Sequence, residues 1–386
     1  MKYQRIKYVC YYSLNGSDDP RDCVEAATTK IDYIVSALNR MGCSVDIISP
    51  AILKRNGLSF SKGGRTVVGE NTVRLFPSFG MYNIRLFRRV GQRITNCFFR
   101  KWIKKNIKGD DTLIVYHSLG YCRFFERLRK SIPFSLIGEV EEVYQDVHRQ
   151  KASLLKAEYD FFGICDKFIF PNTILNSKVN QKGKPFLVVH GLYSVSPQVS
   201  DRYVDGKIHV LYSGTFDPVK GGALAAIDSI KYLTDDYHIH ITGFGNPNDV
   251  RNIENRIALV LPEFGHRLTY HGYISREELT ILMQRCHIGL CTQDPTKELN
   301  LTSFPSKILN YLSNGLVVLS GRNKAIEDSA VGDIVYYYEN QTPEMIAHAI
   351  MDIPLLSSDT GRSRLRELDE SFVANFNNLL DDNLDV

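Results

Sequence analysis

The chain has 386 residues, 44% hydrophobic and 23% charged, with a net charge of +4 at pH 7. That length exceeds one ordinary core and points to two domains. The composition is that of a soluble globular protein, and the mild charge argues against a dedicated nucleic-acid binder. Eight cysteines (Cys10, Cys23, Cys43, Cys97, Cys122, Cys165, Cys286 and Cys291) form no CxxC pair. Several sit inside apolar runs, so they read as buried residues of a reducing compartment rather than a disulfide or zinc framework. There is no secretory leader and no run of about 18 apolar residues, so a cytoplasmic location is expected.

The first half alternates strand and helix. "IKYVCYY" reads as a short strand and "SLNGSDDPRD" as a loop; Ala27, Ile31, Ile34, Leu38 and Met41 mark a helix closed by Gly42. The strands "CSVDIIS", "TLIVYHS", "FSLIGEV", "KFIFPN" and "PFLVVHG" follow, separated by helical segments. This βαβ order implies a parallel sheet with helices on its faces. Residues 194–207, "SVSPQVSDRYVDGK", are polar and aperiodic and read as a linker.

The pattern then restarts with the strand "IHVLYSG", the helix "GGALAAIDSIKYL" and the strands "HIHITGFG" and "LTYHGYI". Ser275 and Glu278 form a capping box opening the helix "REELTILMQRC". "IGLCTQ", a short helix and "LVVLSG" complete the series. The expected fold class is α/β, with two doubly wound domains at 1–193 and 208–355. A helical segment at 356–386 ends the chain, and its return to the first domain is left open.

Ligands of open α/β sheets bind beyond the C-terminal ends of the strands. Three loops of the second domain gather there. "SGTFDPVKGG" carries Gly214, Lys220, Gly221 and Gly222, and "TGFGNPN" carries Gly243 and Gly245. The third is the helix start in "LTSFPSKILNYLSNG". Ser303 reads as its N-cap and Pro305 fits the first turn, so the helix should open near Phe304. Lys307 then opposes the helix dipole and calls for an anion. A glycine turn alone needs no ligand. Three in consecutive βα units, with Lys220 and Lys307, favour a phosphate site.

From about Val188 to Val335 these residues resemble the retaining GT-B glycosyltransferases of family 4. The resemblance rests on Gly214-Thr215-Phe216…Lys220-Gly221, Gly243-Phe244-Gly245, Gly272-Tyr273-Ile274, Thr302…Asn310 and Gly315-Leu316-Val317-Val318. The family arginine is Thr215 here, and its two glutamates are Thr302 and Asn310. The Pro305-Ser306-Lys307 helix start is similar to a bacterial polysaccharide-type branch.

The resemblance implies a GT-B fold, two Rossmann-like domains facing across a crevice. It implies transfer of a sugar from a nucleotide-sugar to a saccharide or lipid-linked acceptor, without a metal or other cofactor. Lys220 and Lys307 would hold the diphosphate with Gly214, Thr215 and Ser306. The base would rest near Gly243, Gly245, Tyr273 and Ile274, and Asn310 would replace the glutamate that holds the ribose.

In the first domain, His117 ends a strand and should face the crevice, where the family places a histidine against the donor sugar; a lone histidine is more often structural, but the strand-end placement and the resemblance bring the catalytic reading level with that one. Glu139, Glu141 and Glu142 follow the next strand. They could assist deprotonation or hold acceptor hydroxyls, or simply favour a helix start. Asn15 and Gly16 could admit the acceptor or make an ordinary turn. The Asp-Asp pairs read as solvated loop charges.

A nicotinamide dehydrogenase would want GxGxxG after the first strand, which "SLNGSDD" does not supply. A GT-B sugar-nucleotide epimerase and a non-catalytic partner subunit remain as alternatives. Finally, residues 83–108, "NIRLFRRVGQRITNCFFRKWIKKNIK", carry nine cations and no acid. Phe87, Val90, Ile94, Phe98 and Trp102 recur at helical spacing, so the apolar face is expected to pack inward with the cations outside, available to an anionic membrane surface.

Overall fold

Runs of β-branched and aromatic residues, each five or so long, build both sheets. The computed structural model describes residues 5–14, 16–144, 152–218, 222–294, 304–354 and 359–381. The chain divides into two units. The first comprises residues 1–171, 175–189 and 373–386, the second residues 172–174 and 190–372.

In the first unit, β1 (Arg5–Val9) lies at the centre of an eight-stranded sheet. On one side follow β2 (Ser44–Ser49), β5 (Asn71–Leu75) and β4 (Gly64–Val68); on the other, β7 (Thr112–Tyr116), β8 (Ser135–Glu139), β9 (Lys167–Phe170) and β10 (Phe186–Val188). All neighbours are parallel except β4, which pairs antiparallel with β5. A separate pair, β3 (Phe60–Ser61) and β6 (Ser78–Phe79), is antiparallel.

Helix α1 (Glu25–Arg40) buries Ile31, Ile34 and Leu38, the stripe its sequence announces. It ends where Gly42 enters the left-handed region at φ 79°. Cys43 N–H then reaches Leu38 O and Gly42 N–H reaches Asn39 O, a Schellman closure that satisfies the last carbonyls. The core beneath helices α3 (Cys122–Arg129) and α4 (Ala152–Ile164) is aromatic, with Phe99, Phe125, Phe134, Phe161, Phe168 and Phe170 fully buried.

Helix α2 (Arg85–Asn106) differs from its expected packing. Its inward row is Gly91, Thr95, Phe99 and Ile103, spaced by four. Small residues in that row bring the helix close to β6: Thr95 Oγ1 donates to Pro77 O at 3.0 Å, and a Cβ on Gly91 would lie 3.3 Å from Phe79 O. Phe87, Val90, Ile94 and Phe98 are therefore exposed; of the expected stripe, only Trp102 packs against the core. The Trp102 ring meets Phe76 at 6.2 Å and lies 5.0 Å from the Arg74 guanidinium carbon.

The second unit holds a six-stranded, wholly parallel sheet in the order β13-β12-β11-β14-β15-β16. These are Leu268–Gly272, Tyr237–Phe244, Ile208–Thr215, Ile288–Cys291, Val317–Gly321 and Val335–Tyr338. Counted within the unit the order is 3-2-1-4-5-6, the Rossmann arrangement, which reverses between β11 and β14.

The expected linker is not a free tether. Gln284, 2% exposed on the helix Arg276–Arg285, accepts the Val199 and Ser200 N–H groups and donates to Pro197 O. Tyr203 N–H reaches Arg285 O. A buried amide thus takes up the hydrogen bonds of a strandless segment and fixes it to the second unit. The capping box of Ser275 and Glu278 forms as expected. The last helix, Thr360–Leu380, spans both groupings, since residues from Val373 onward cluster with the first unit.

Across β11, β12 and β13 runs a row of histidines. His209 Nδ1 lies 2.8 Å from His240 Nε2, and His240 Nδ1 lies 3.0 Å from His271 Nε2. Asp205 accepts from His209 Nε2 at 3.0 Å, and Tyr203 stacks on His209 at 3.9 Å between ring centroids. His238 bonds Thr269 Oγ1, and His287 Nδ1 accepts the His209 N–H.

Candidate functional site

The reversal in strand order puts the ends of β11 and β14 side by side in the second unit. Gly214 at the end of β11 pairs with Gly243 of β12, and Thr242 with Gly272 of β13. The backbones there are in contact: a Cβ on Gly243 would lie 2.0 Å from Gly214 O and 2.7 Å from the Phe216 ring. Only glycine fits.

Helix α9 (Lys307–Ser313) stands over this edge. It begins three residues later than expected. Pro305 precedes it, and Ser306, in αR geometry, makes no side-chain cap bond. Ser303, Thr302 and Lys220 lie outside the described residues, as does Asn15. Tyr311 anchors the helix. Its ring lies flat against Gly289, where a Cβ would come within 2.4 Å, and its hydroxyl accepts the Ser213 N–H at 2.8 Å.

So held, Lys307 reaches across to β11. Its Nζ stands 4.3 Å from the centroid of the Tyr212 ring and would be 2.6 Å from a Cβ on Gly214. Burial pushes its pKa down, opposed by the nearby Cys291 thiol. No carboxylate among the described residues lies within ion-pairing distance of it. An ammonium held inward with no counter-anion among the described residues, on an aromatic face and beside a bare glycine backbone, suits an anion.

Of the other expected site residues, Thr215, Ser306 and Asn310 are exposed, and Ile274 is half-buried. Gly245 packs against Phe216 and Asp249. Tyr273 is 77% exposed and meets the exposed Phe244 edge-on at 6.2 Å. Of the expected site residues, the structure places Lys307 beside Gly214 and pairs Gly214 with Gly243. The sequence reading missed Tyr212 and Tyr311, whose roles depend on strand order.

In the first unit the placements are different. His117 is 2% exposed, among Tyr144, Phe161 and Phe162, with Nε2 3.2 Å from the fully buried Glu158. Burial lowers its pKa to about 4, so the imidazole is neutral. The histidine expected at an open strand end is thus a core residue, because the aromatic face of α4 closes over it. Glu139 is also fully buried; Tyr8 donates to its Oε2, while Oε1 has no hydrogen-bond partner among the described residues. Burial raises its pKa to about 7, with Lys30 acting against the shift.

Lys30 pairs with Glu141, a charge on the apolar face of α1 that the periodicity of Ile31 and Ile34 makes visible. Glu142 is exposed. Gly16 is exposed at φ 67° with open space around it. Among the described residues no helix is long and apolar enough to cross a membrane, and no group of three or more His, Cys, Asp or Glu could hold a metal ion.

Residues 199–367 match the family model described as glycosyl transferases group 1. No curated protein matches the chain. Among solved structures, sucrose-phosphate synthase from Thermosynechococcus elongatus is 14% identical with a TM-score of 0.70, covering 98% of both chains. A UDP-forming α,α-trehalose-phosphate synthase from Burkholderia xenovorans is 12% identical with a TM-score of 0.63, covering 98% of this chain and 99% of the other. HepE of Anabaena in complex with UDP is 12% identical with a TM-score of 0.60, covering 98% of both. The fold is GT-B. Both Rossmann-like domains of a GT-B protein are present, and the group 1 match falls on the one that holds Lys307.

Proposed function

We propose that this chain is a metal-independent GT-B glycosyltransferase. In this reading it moves a sugar, with retention, from a nucleoside-diphosphate sugar to a saccharide or lipid-linked saccharide in bacterial surface polysaccharide or glycoconjugate assembly. The observation that carries the reading is the inward Lys307 ammonium beside Gly214, with no carboxylate among the described residues to meet it. As the glycosidic bond breaks, negative charge grows on the leaving diphosphate, and a fixed cation stabilises it without reorganisation.

Lys220 joins Lys307 on the diphosphate in this reading. The exposed Phe244 and Tyr273 rings flank the base with Gly245 and Ile274, Asn310 takes the ribose, and Ser306 and Thr215 border the phosphates. Asn15, Gly16 and Glu142 are assigned to the acceptor. His117 and Glu139, both enclosed, act through the residues they support. HepE and the trehalose-phosphate synthases are described with UDP or as UDP-forming, which supports a nucleoside diphosphate.

A thermal-shift series with UDP, GDP, ADP and CMP tests the reading. A diphosphate at about 100 times its Kd adds about 2.7 kcal/mol of stability; no shift with any of them would end it. Asn310, standing where the family has a carboxylate, favours a binding subunit as the second reading. Slow release of nucleoside diphosphate from the donor without acceptor separates the two, since a subunit that only binds releases none.

A further inference from the structure

Helix α2 of the first unit carries three rows of residues, each spaced by four. Gly91, Thr95, Phe99 and Ile103 face the core. Leu86, Val90, Ile94 and Phe98 face outward, from 37% to 67% exposed. Arg85, Arg89 and Arg93 run beside that apolar row, and Lys101, Lys104 and Lys105 continue the charge through the last turns. The helix contains no acid. Among the described residues no carboxylate lies within ion-pairing distance of Arg89, Arg93, Lys101, Lys104 or Lys105.

At the C-terminal half of the helix the charge deepens into a groove. Arg100, Lys104, Arg123 and Arg127 stand around Phe124 and Leu128 in a cavity of about 690 Å³. The Arg100 guanidinium carbon lies 5.6 Å from the centroid of the Phe124 ring. A soluble protein gains nothing by leaving an apolar row of four exposed beside a row of arginines. That combination suits a surface that is anionic at its face and apolar just beneath it.

We propose that α2 lies in the interface of an anionic lipid bilayer. Leu86, Phe87, Val90, Ile94 and Phe98 enter the acyl boundary; Arg85, Arg89, Arg93 and Lys101 hold headgroup phosphates; the Arg100–Arg127 groove seats one lipid phosphate. Charge complementarity and the apolar row together select this occupant. The inference concerns a face of the first unit and stands whether or not the chain transfers a sugar.

Co-sedimentation of the full chain with vesicles tests it, using phosphatidylglycerol–phosphatidylcholine mixtures and phosphatidylcholine alone, at about 50 mM and about 500 mM salt. Two variants separate the contributions. Arg85→Glu with Arg89→Glu and Arg93→Glu should abolish the preference for anionic vesicles. Leu86→Ser with Ile94→Ser and Phe98→Ser should remove the binding that persists at high salt. Both change exposed side chains, and an unchanged thermal midpoint verifies folding.

The wild type is expected to bind anionic vesicles at least about tenfold better than neutral ones at low salt. Equal, negligible pelleting with both vesicle types overturns the proposal. So does binding that high salt removes entirely and the serine variant leaves intact, because nothing is then inserted. A dimer that the serine variant dissociates, with no vesicle binding, would instead assign the face to a second copy of the chain.

Discussion

The Lys307 ammonium lies 4.3 Å above the Tyr212 ring, brought there by a helix of a separate βα unit. The ring face attracts the ammonium without neutralising it, and no carboxylate among the described residues pairs with it, which leaves the charge for a ligand. Lys307→Ala should lower kcat/KM by roughly 30- to 1,000-fold, about 2–4 kcal/mol of transition-state stabilisation. The fold should persist with an undiminished thermal midpoint, since an inward charge with no carboxylate partner among the described residues is removed. Donor-saturation kinetics and a melting curve measure both; wild-type kcat/KM would reject the assignment.

Gly214 and Gly243 should respond differently to the same change. A Cβ on Gly243 meets the Gly214 carbonyl at 2.0 Å, and backbone cannot step aside cheaply. Gly243→Ala should cost about 1–3 kcal/mol or more of stability. At Gly214 the added methyl meets only the end of the Lys307 side chain, which can swing away, although the φ of 159° there is one that side chains rarely adopt and adds backbone strain. Gly214→Ala should therefore lose less stability than Gly243→Ala and lose nucleotide affinity. Calorimetric binding and melting of the two variants check the contrast.

The histidine row makes the second unit acid-sensitive. Burial first, then the neighbouring histidines, lower the pKa of His240 to about 2 and of His238 to about 4; burial and Arg202 lower that of His287 to about 4. Unfolded histidines titrate near 6.5. Between about pH 6.5 and 4 the unfolded chain binds more protons, so stability rises with pH and falls as the solution is acidified. Each site adds a slope of at most about 1.4 kcal/mol per pH unit, less for those partly open to solvent. Urea unfolding at pH 7 and pH 5 should show the loss, and His238→Gln should reduce it.

A nucleoside diphosphate should bind in the presence of EDTA. The motivation is a site supplied with an ammonium and backbone groups, with no carboxylate pair assigned to it. Calorimetry decides: binding that appears only when magnesium or manganese is added would require acidic ligands that this reading does not contain.

Much of the architecture was legible because each strand is a short apolar run and each helix has a marked end. Gly42 closes α1, and Ser275 with Glu278 opens its helix, both by local chemistry that sequence displays directly. Lys307 was legible as a misplaced charge. Its partner was not, since Tyr212 lies in another βα unit and meets it only through the 3-2-1-4 strand order. His117 was misread for a similar reason: its environment comes from Phe161 and Phe162, more than forty residues away. Helix α2 inverted expectation because Gly91 and Thr95 permit close approach to β6, a benefit of small size that a hydrophobic count does not register. The histidine row hid in plain sight, one or two residues per strand.

Trp102 is the only tryptophan in the chain, and it belongs to the first unit, seated against Phe76 under Arg74. Its emission is therefore a built-in optical label for one half of the molecule. When the protein is denatured, fluorescence excited at the indole band watches only that half, while circular dichroism watches both. The separation between the two curves, or its absence, measures directly how cooperatively the halves come apart.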